Sequence, residues 1–382
     1  MHVAINATAL KANRSGVGWF ISEVLRNLPG SAEGQTYSIF FNKAFVAREP
    51  FTHPLVQMYS SAIATDRLYS RLLWENVQLP SLVRQLRPDV FHGNAFALPL
   101  ANLGIPTVVT VYDLVHRVLP KSQTWIFRQY LDRIVPHSCR RATRVIAISE
   151  ATRRDLIEIY GVPSKKIDLT YGGAAPRFFA EPDEKKLRTV RQKYALPNEF
   201  ALTIGDLDPR KNLLTAIRAC GTLARDSLPL PLVLAGKKIS DSHSLELATE
   251  VERLGLGDRV IFTGRLEDDE LASFYRAATL FLFPSHYEGF GLPAVEAMAS
   301  GTPVVASTGG ALPEVVGDAG MVVPPDDVEG FAAAIRRICG NPGFRDELIA
   351  KGYSRAAEFT WENTARQTAE VYERAVAEFR EK

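Results

Sequence analysis

Short apolar runs alternate with longer amphipathic segments along almost the whole chain. The runs at 3–7, 37–41, 89–91, 107–111, 144–148 and 167–170 are rich in Val, Ile, Leu and Phe. They are apolar on both faces, which is how strands buried in a parallel sheet read. A second series follows at 200–204, 231–235, 260–263, 280–283, 303–306 and 321–323. Between the runs, 18–28, 151–160, 213–224, 268–278 and 328–338 carry apolar residues at helical spacing. This alternation predicts an α/β protein made of two doubly wound, Rossmann-like domains. Gly172-Gly173-Ala174-Ala175-Pro176 interrupts the pattern and divides 1–173 from 174–360. An amphipathic helix over 361–379 has no strand after it, and the tail 361–382 is expected to cross back onto the first domain.

Composition adds limits. A chain of 382 residues, 46% hydrophobic and 23% charged, suits two globular cores. Its apolar runs are too short to span a bilayer. The start, Met1-His2-Val3-Ala4-Ile5-Asn6, reads as a strand rather than a signal peptide, so a cytoplasmic protein is expected. Cys139, Cys220 and Cys339 are widely spaced and odd in number, which reads as free thiols rather than a metal site or disulfide framework.

The net charge of +2 hides an asymmetry. Residues 1–175 hold 20 Lys and Arg against 12 Asp and Glu, while the remainder hold 25 against 31. Arg117, Lys121, Arg128, Arg133, Arg140 and Arg141 share a stretch with Trp125, Phe127 and Tyr130. Basic residues mixed with aromatics suit an anionic membrane surface, whereas no nucleic-acid motif accompanies them.

Candidate chemistry concentrates in His286-Tyr287-Glu288-Gly289-Phe290-Gly291-Leu292-Pro293-Ala294-Val295-Glu296. Pro293 suits the first helical turn and Gly301 a helix stop. Glu288 then sits on a glycine-rich loop and Glu296 about a turn inside the following helix, whose N-terminus is an anion site. Two carboxylates around an anion site fit a ligand with both phosphates and hydroxyls, as in a nucleotide sugar. Gly205-Asp206-Leu207-Asp208-Pro209-Arg210-Lys211-Asn212 places two cations before another helix, against its dipole, and a bound anion would resolve that conflict. Asn13-Arg14-Ser15-Gly16-Val17-Gly18 follows the first strand and is a poor dinucleotide fingerprint, because Ile21 stands at the third glycine position. Tyr112, Asp113 and His116 follow the 107–111 strand, at the strand end where open α/β sheets bind ligands.

Together these pieces resemble the family 4 glycosyltransferases of the GT-B fold, over essentially the whole chain. Pro209-Arg210-Lys211-Asn212 after Gly205, Glu288-Gly289-Phe290-Gly291-Leu292-Pro293 and Glu296-Ala297 carry most of the resemblance; Ser15-Gly16-Val17-Gly18 and Phe359-Thr360-Trp361-Glu362 add to it. It implies two Rossmann-like domains facing a central cleft and a retaining, metal-independent sugar transfer from a nucleotide donor, with no cofactor. Arg210 and Lys211 would hold the diphosphate, Glu288 the donor sugar and Glu296 the ribose. Backbone of Phe290, Gly291 and Leu292 would approach the distal phosphate or sugar, Gly16 and Gly18 would let the first domain close, and the loop at Arg265 and Leu266 would meet the base. Tyr112, Asp113 and His116 would face the acceptor.

Two departures stand out. Asp206 occupies a position where many members carry Arg, with Arg210 able to supply that charge, and Tyr112 stands where many carry His. The Pro-Arg-Lys-Asn subgroup looks most like bacterial polysaccharide mannosyltransferases. GDP-mannose is therefore the favoured donor, dTDP-rhamnose and UDP-hexoses are the alternatives, and a saccharide or lipid-linked saccharide is the acceptor. From other classes, an NAD(P)-dependent oxidoreductase conflicts with the broken glycine fingerprint, and a non-catalytic binding subunit with the presence of Lys211, Glu288 and Glu296.

Overall fold

The computed structural model describes residues 1–382 except 11–15, 44–52, 64, 66–67, 227, 238–240 and 382. Asn13, Arg14 and Ser15 of the first glycine motif therefore lie outside the described residues. Thirteen strands are described, all paired in parallel, in two sheets. The chain divides into two compact units, one of Met1–Gly172 with Trp361–Lys382 and one of Gly173–Thr360.

The first unit holds β1 (His2–Ala7), β2 (Thr36–Phe41), β3 (Val56–Ser60), β4 (Val90–Gly93), β5 (Thr107–Val111), β6 (Arg144–Ala147) and β7 (Ile167–Leu169), in the order β3-β2-β1-β4-β5-β6-β7. The order reverses between β1 and β4. Central strands are apolar on both faces because helices cover both: Val3, Ala4, Ile5, Val90, Phe91, Val108 and Val109 are wholly buried. The edge strand β3 was not expected from the sequence. Its residues are half-buried or exposed, so Val56-Gln57-Met58-Tyr59-Ser60 carries no continuous apolar run.

The C-terminal helix, Trp361–Arg380, belongs to this first unit. Its buried stripe (Trp361, Thr364, Ala365, Thr368, Ala369, Tyr372, Ala375) repeats at helical spacing. Trp361 meets Phe20 of the Gly16–Asn27 helix edge to face, with ring centroids 5.1 Å apart. The Tyr372 hydroxyl is 2.8 Å from Nδ1 of the buried His92 on β4, whose Nε2 lies 2.8 Å from Thr110 Oγ1 on β5. Burial pulls His92 down to about 3, so it is a neutral structural link at ordinary pH.

The second unit holds β8 (Ala201–Ile204), β9 (Leu232–Ala235), β10 (Val260–Gly264), β11 (Leu280–Phe283), β12 (Val304–Ser307) and β13 (Gly320–Val323), in the order β10-β9-β8-β11-β12-β13. Leu280-Phe281-Leu282-Phe283 is buried along its full length at the centre of the sheet. Here the order reverses between β8 and β11, the place where open α/β sheets form a crevice at the carboxyl ends of their strands. One expected helix is shorter than its pattern, starting at Leu271 instead of 268. The three acids before it form only a single turn, closed by the Glu270 N–H to the Glu267 carbonyl at 3.0 Å, and Glu270 is held by Lys193 and Tyr194. Cys139, Cys220 and Cys339 are free thiols.

Candidate functional site

The two motifs with the richest chemistry leave the two strands that flank the reversal in the second sheet. After β8 the chain turns through Gly205 at φ +140° and forms a 3₁₀ turn over Pro209–Lys211, capped by Asp208, whose carboxylate accepts the Arg210 N–H at 2.8 Å. A Cβ at Gly205 would lie 3.1 Å from Cε of Lys211, so a side chain there would press on the lysine as well as strain the backbone. The Leu213–Arg225 helix follows. After β11 the chain runs through Glu288 into the Leu292–Ala299 helix, with Pro293 in its first turn and Gly291 at its N-cap.

Strand order brings the motifs together. Nη1 of Arg210 lies 2.7 Å and Nζ of Lys211 2.8 Å from the same oxygen, Oε1 of Glu288. Arg210 also donates to the Tyr287 carbonyl at 2.8 Å, and the His286 N–H donates back to the Arg210 carbonyl at 2.9 Å. Lys211 Nζ sits 4.9 Å from the Phe283 ring centroid. Glu288 is only 8% exposed. Burial pushes its carboxyl up, but Arg210 and then Lys211 outweigh that and hold it at about 2. Burial draws the Lys211 ammonium below its ordinary value against the pull of Glu288, with Arg210 adding to the decrease. The site is therefore two cations and one carboxylate, preassembled at a helix N-terminus.

Sequence alone did not reveal three supports of this cluster. Gly310 has φ +62°, and a Cβ there would lie 2.2 Å from the Glu288 carbonyl oxygen, so only glycine lets this loop close on the Glu288 backbone. The neighbouring Ala311 N–H donates to that same carbonyl at 2.9 Å. Tyr275 donates its hydroxyl to Oε2 of Glu296 at 3.0 Å. Burial, reinforced by Glu296, pushes the Tyr275 hydroxyl well above its ordinary value, so it stays a donor. The Gly309-Gly310 pair was a readable signal; the Tyr275 contact, spanning 21 residues, was not.

The remaining candidates spread further. Arg265 is exposed and Leu266 buried at the carboxyl end of β10, the edge strand. Gly16 opens its helix and Gly18 is buried within it. Tyr112 and His116 need correction as acceptor contacts. Tyr112 is 2% exposed and bonded to the carbonyl and side chain of Asn94, and His116 is 1% exposed with Nε2 2.8 Å from the Tyr160 hydroxyl. Burial pulls His116 down to about 4. Both rings pack inside their own unit, while Asp113 is half-buried and accepts the Val115 N–H at 3.0 Å. Within the basic stretch, Arg141 is exposed but tied to backbone, and the neighbouring Arg144 is buried. Arg141 donates to the Pro99 and Leu100 carbonyls, and Arg144 is paired with Asp168 and Glu378.

Comparison with known proteins bears on both units. Residues 187–355 match the family model for glycosyl transferases group 1, and residues 14–177 that for glycosyltransferase family 4. O-antigen chain mannosyltransferase B of Escherichia coli is 28% identical over 97% of this chain and 99% of its own length. The MMP alpha-(1->4)-mannosyltransferase of Mycolicibacterium hassiacum is 32% identical, covering 76% of this chain and 71% of that protein. Among solved structures, sucrose-phosphate synthase from Thermosynechococcus elongatus superposes with a TM-score of 0.78 over 98% of this chain and 99% of its own, at 24% identity, which is a likeness of fold.

Proposed function

Since the chain belongs to the family 4 glycosyltransferases and is a nucleotide-sugar-dependent enzyme of the GT-B fold, we propose that it transfers mannose from GDP-mannose, with retention, to a saccharide or lipid-linked acceptor in surface polysaccharide synthesis. The mannose reading is supported by relatives named for mannosyl transfer. The observation that carries the chemistry is the Arg210–Lys211–Glu288 cluster at the sheet reversal. Breaking the anomeric C–O bond leaves negative charge on the departing diphosphate and positive character on the sugar ring. Fixed cations at that phosphate lower the barrier because they need no reorganisation as charge develops. In this reading Arg210 and Lys211 meet the diphosphate in place of a divalent metal. Glu288 turns towards sugar hydroxyls, and Glu296, oriented by Tyr275, takes the ribose.

A thermal-shift panel of GDP, UDP and dTDP tests the donor, followed by turnover of the matching sugar nucleotide with and without EDTA. GDP is expected to give the largest shift and GDP-mannose to turn over equally in EDTA. Equal shifts from all three nucleotides, or turnover abolished by EDTA, would defeat this assignment. NADPH is expected to give no fluorescence titration, which separates the oxidoreductase class.

The proposed setting is the cytoplasmic face of a membrane. Among the described residues no helix is long and apolar enough to cross one. The Trp125–Arg141 helix instead begins with Trp125 and Ile126, 69% and 60% exposed, near Lys121 and Arg128. Such a surface suits the interface of an anionic bilayer. The protein is expected to sediment with anionic vesicles at low salt and to be released by salt or by Trp125→Ser with Arg128→Glu. Absence from the low-salt pellet removes the membrane part alone.

A further inference from the structure

Further along the same helix lies a cavity that the transfer site does not use. The links β3–β4, β5–β6 and β6–β7 each contain a helix, but the β4–β5 link, residues 94–106, contains none. That leaves the helical segment after β3, with Leu68–Leu73 followed by a π turn at Trp74–Gln78, and the Trp125–Arg141 helix without a helix from the β4–β5 link to pack against. A cavity of about 840 Å³ lies there, within the roughly 300–1,000 Å³ usual for small-ligand sites.

Its walls are mostly hydrocarbon: Leu72 before the π turn, Leu100 from the β4–β5 link, Ile134 and Pro136 from the long helix and Ile159 from the Glu150–Tyr160 helix. Leu73 and Val77, on the same helical segment as Leu72, are 57% and 61% exposed. Arg133 and Arg140 also line the cavity and are exposed; among the described residues neither has an acidic partner. The lining acid, Asp132, lies 3.5 Å from Arg117 and 3.7 Å from His116. The Tyr130 hydroxyl is buried in the lining with no hydrogen-bond partner among the described residues.

Apolar surface predominates in this cavity, so it favours a hydrocarbon chain over water or a wholly polar ligand, while Asn76, His137 and Tyr160 add polar atoms to its wall. Hydrocarbon walls with two guanidiniums that have no acidic partner among the described residues fit an amphiphile whose chain enters and whose charged head stays out. We propose that this cavity holds the hydrocarbon chain of an anionic lipid, with the headgroup phosphate against Arg133 and Arg140. The inference rests on the reading of the acceptor as lipid-linked and makes the cavity the place where that lipid is gripped.

Farnesyl diphosphate is the probe, compared by calorimetry with isopentenyl diphosphate, which carries the same head on a shorter chain. Farnesyl diphosphate is expected to bind at least about tenfold tighter, since the extra chain is apolar surface removed from water. Arg133→Glu with Arg140→Glu is expected to weaken it by at least about tenfold through lost and reversed charge. Ile134→Trp should block the chain, and an unchanged circular-dichroism spectrum and urea-unfolding profile check that the unit carrying it is folded. Lys211→Ala is expected to leave the binding unchanged and GDP not to compete, which excludes the diphosphate site of the second unit. Equal binding of the two diphosphates, competition by GDP, or indifference to the arginine reversals overturns the proposal. Farnesyl diphosphate binding without any nucleotide shift would leave this site standing and remove the donor reading; the converse would do the opposite.

Discussion

Lys211→Ala is expected to lower kcat by roughly 10²–10³-fold, the loss typical of removing one preorganised donor from a site of developing negative charge. Lys211 ends a short 3₁₀ turn, its aliphatic stem is packed against Gly205, and its ammonium is 2.8 Å from Glu288 and 4.9 Å from the Phe283 ring centroid. A largely buried ammonium held in this way would meet the leaving phosphate with little of a water shell left to give up. Truncation should leave the fold standing, because Arg210 still pairs with Glu288 at 2.7 Å. Turnover at saturating donor, with thermal unfolding measured alongside, separates the possibilities. A rise in KM at constant kcat would mean that Lys211 only binds the ground state. Unchanged turnover would sink the phosphate assignment.

Glu288→Gln is expected to act most strongly on the ligand-free protein. It leaves Arg210 and Lys211 beside each other without their shared carboxylate, and removing one partner of a buried ion pair costs roughly 3–5 kcal/mol. A diphosphate would then supply the missing anion, so GDP should stabilise the variant more than it stabilises the wild type.

The pH dependence has a definite sign. The Glu288 carboxyl is held at about 2 against an ordinary 4.5. A folded-state value below the unfolded one gives stability that is complete above about 4.5 and lost as pH falls towards 2. At about 1.4 kcal/mol per unit this amounts to roughly 3–4 kcal/mol. Urea unfolding from neutral pH downward should show a wild-type advantage that begins to shrink below about pH 4.5 as the wild-type carboxylate gains its proton. A difference that stays constant with pH, or equal stability near neutrality, would refute the role of this carboxylate as counter-ion.

The same site shows how far a sequence can be read. Leu280-Phe281-Leu282-Phe283 reads as a central strand because four consecutive apolar residues suit only a surface covered on both sides. Gly291 and Pro293 identify the start of the Leu292–Ala299 helix because each restricts or frees backbone angles locally. Val56–Ser60 escapes such a reading, since an edge strand needs no apolar run. Tyr112 and His116 were misread for a related reason. A polar ring at a strand's carboxyl end looks like a ligand contact until Asn94 and Tyr160 are seen to engage the Tyr112 hydroxyl and His116 Nε2 inside the unit.

By itself, then, the sequence determined the alternation of strands and helices, the family, and the residue types able to meet phosphate and sugar. Those properties reside in local periodicity, in glycine and proline angles and in short motifs. The tertiary structure alone decided that Arg210, Lys211 and Glu288 share one oxygen, that Tyr275 holds Glu296, and that Gly310 closes on the Glu288 backbone. Residues 210 and 288 meet because β11 pairs with β8 across the reversal in strand order. Which strands become neighbours is set by packing of the whole sheet, a long-range outcome that no window of sequence contains.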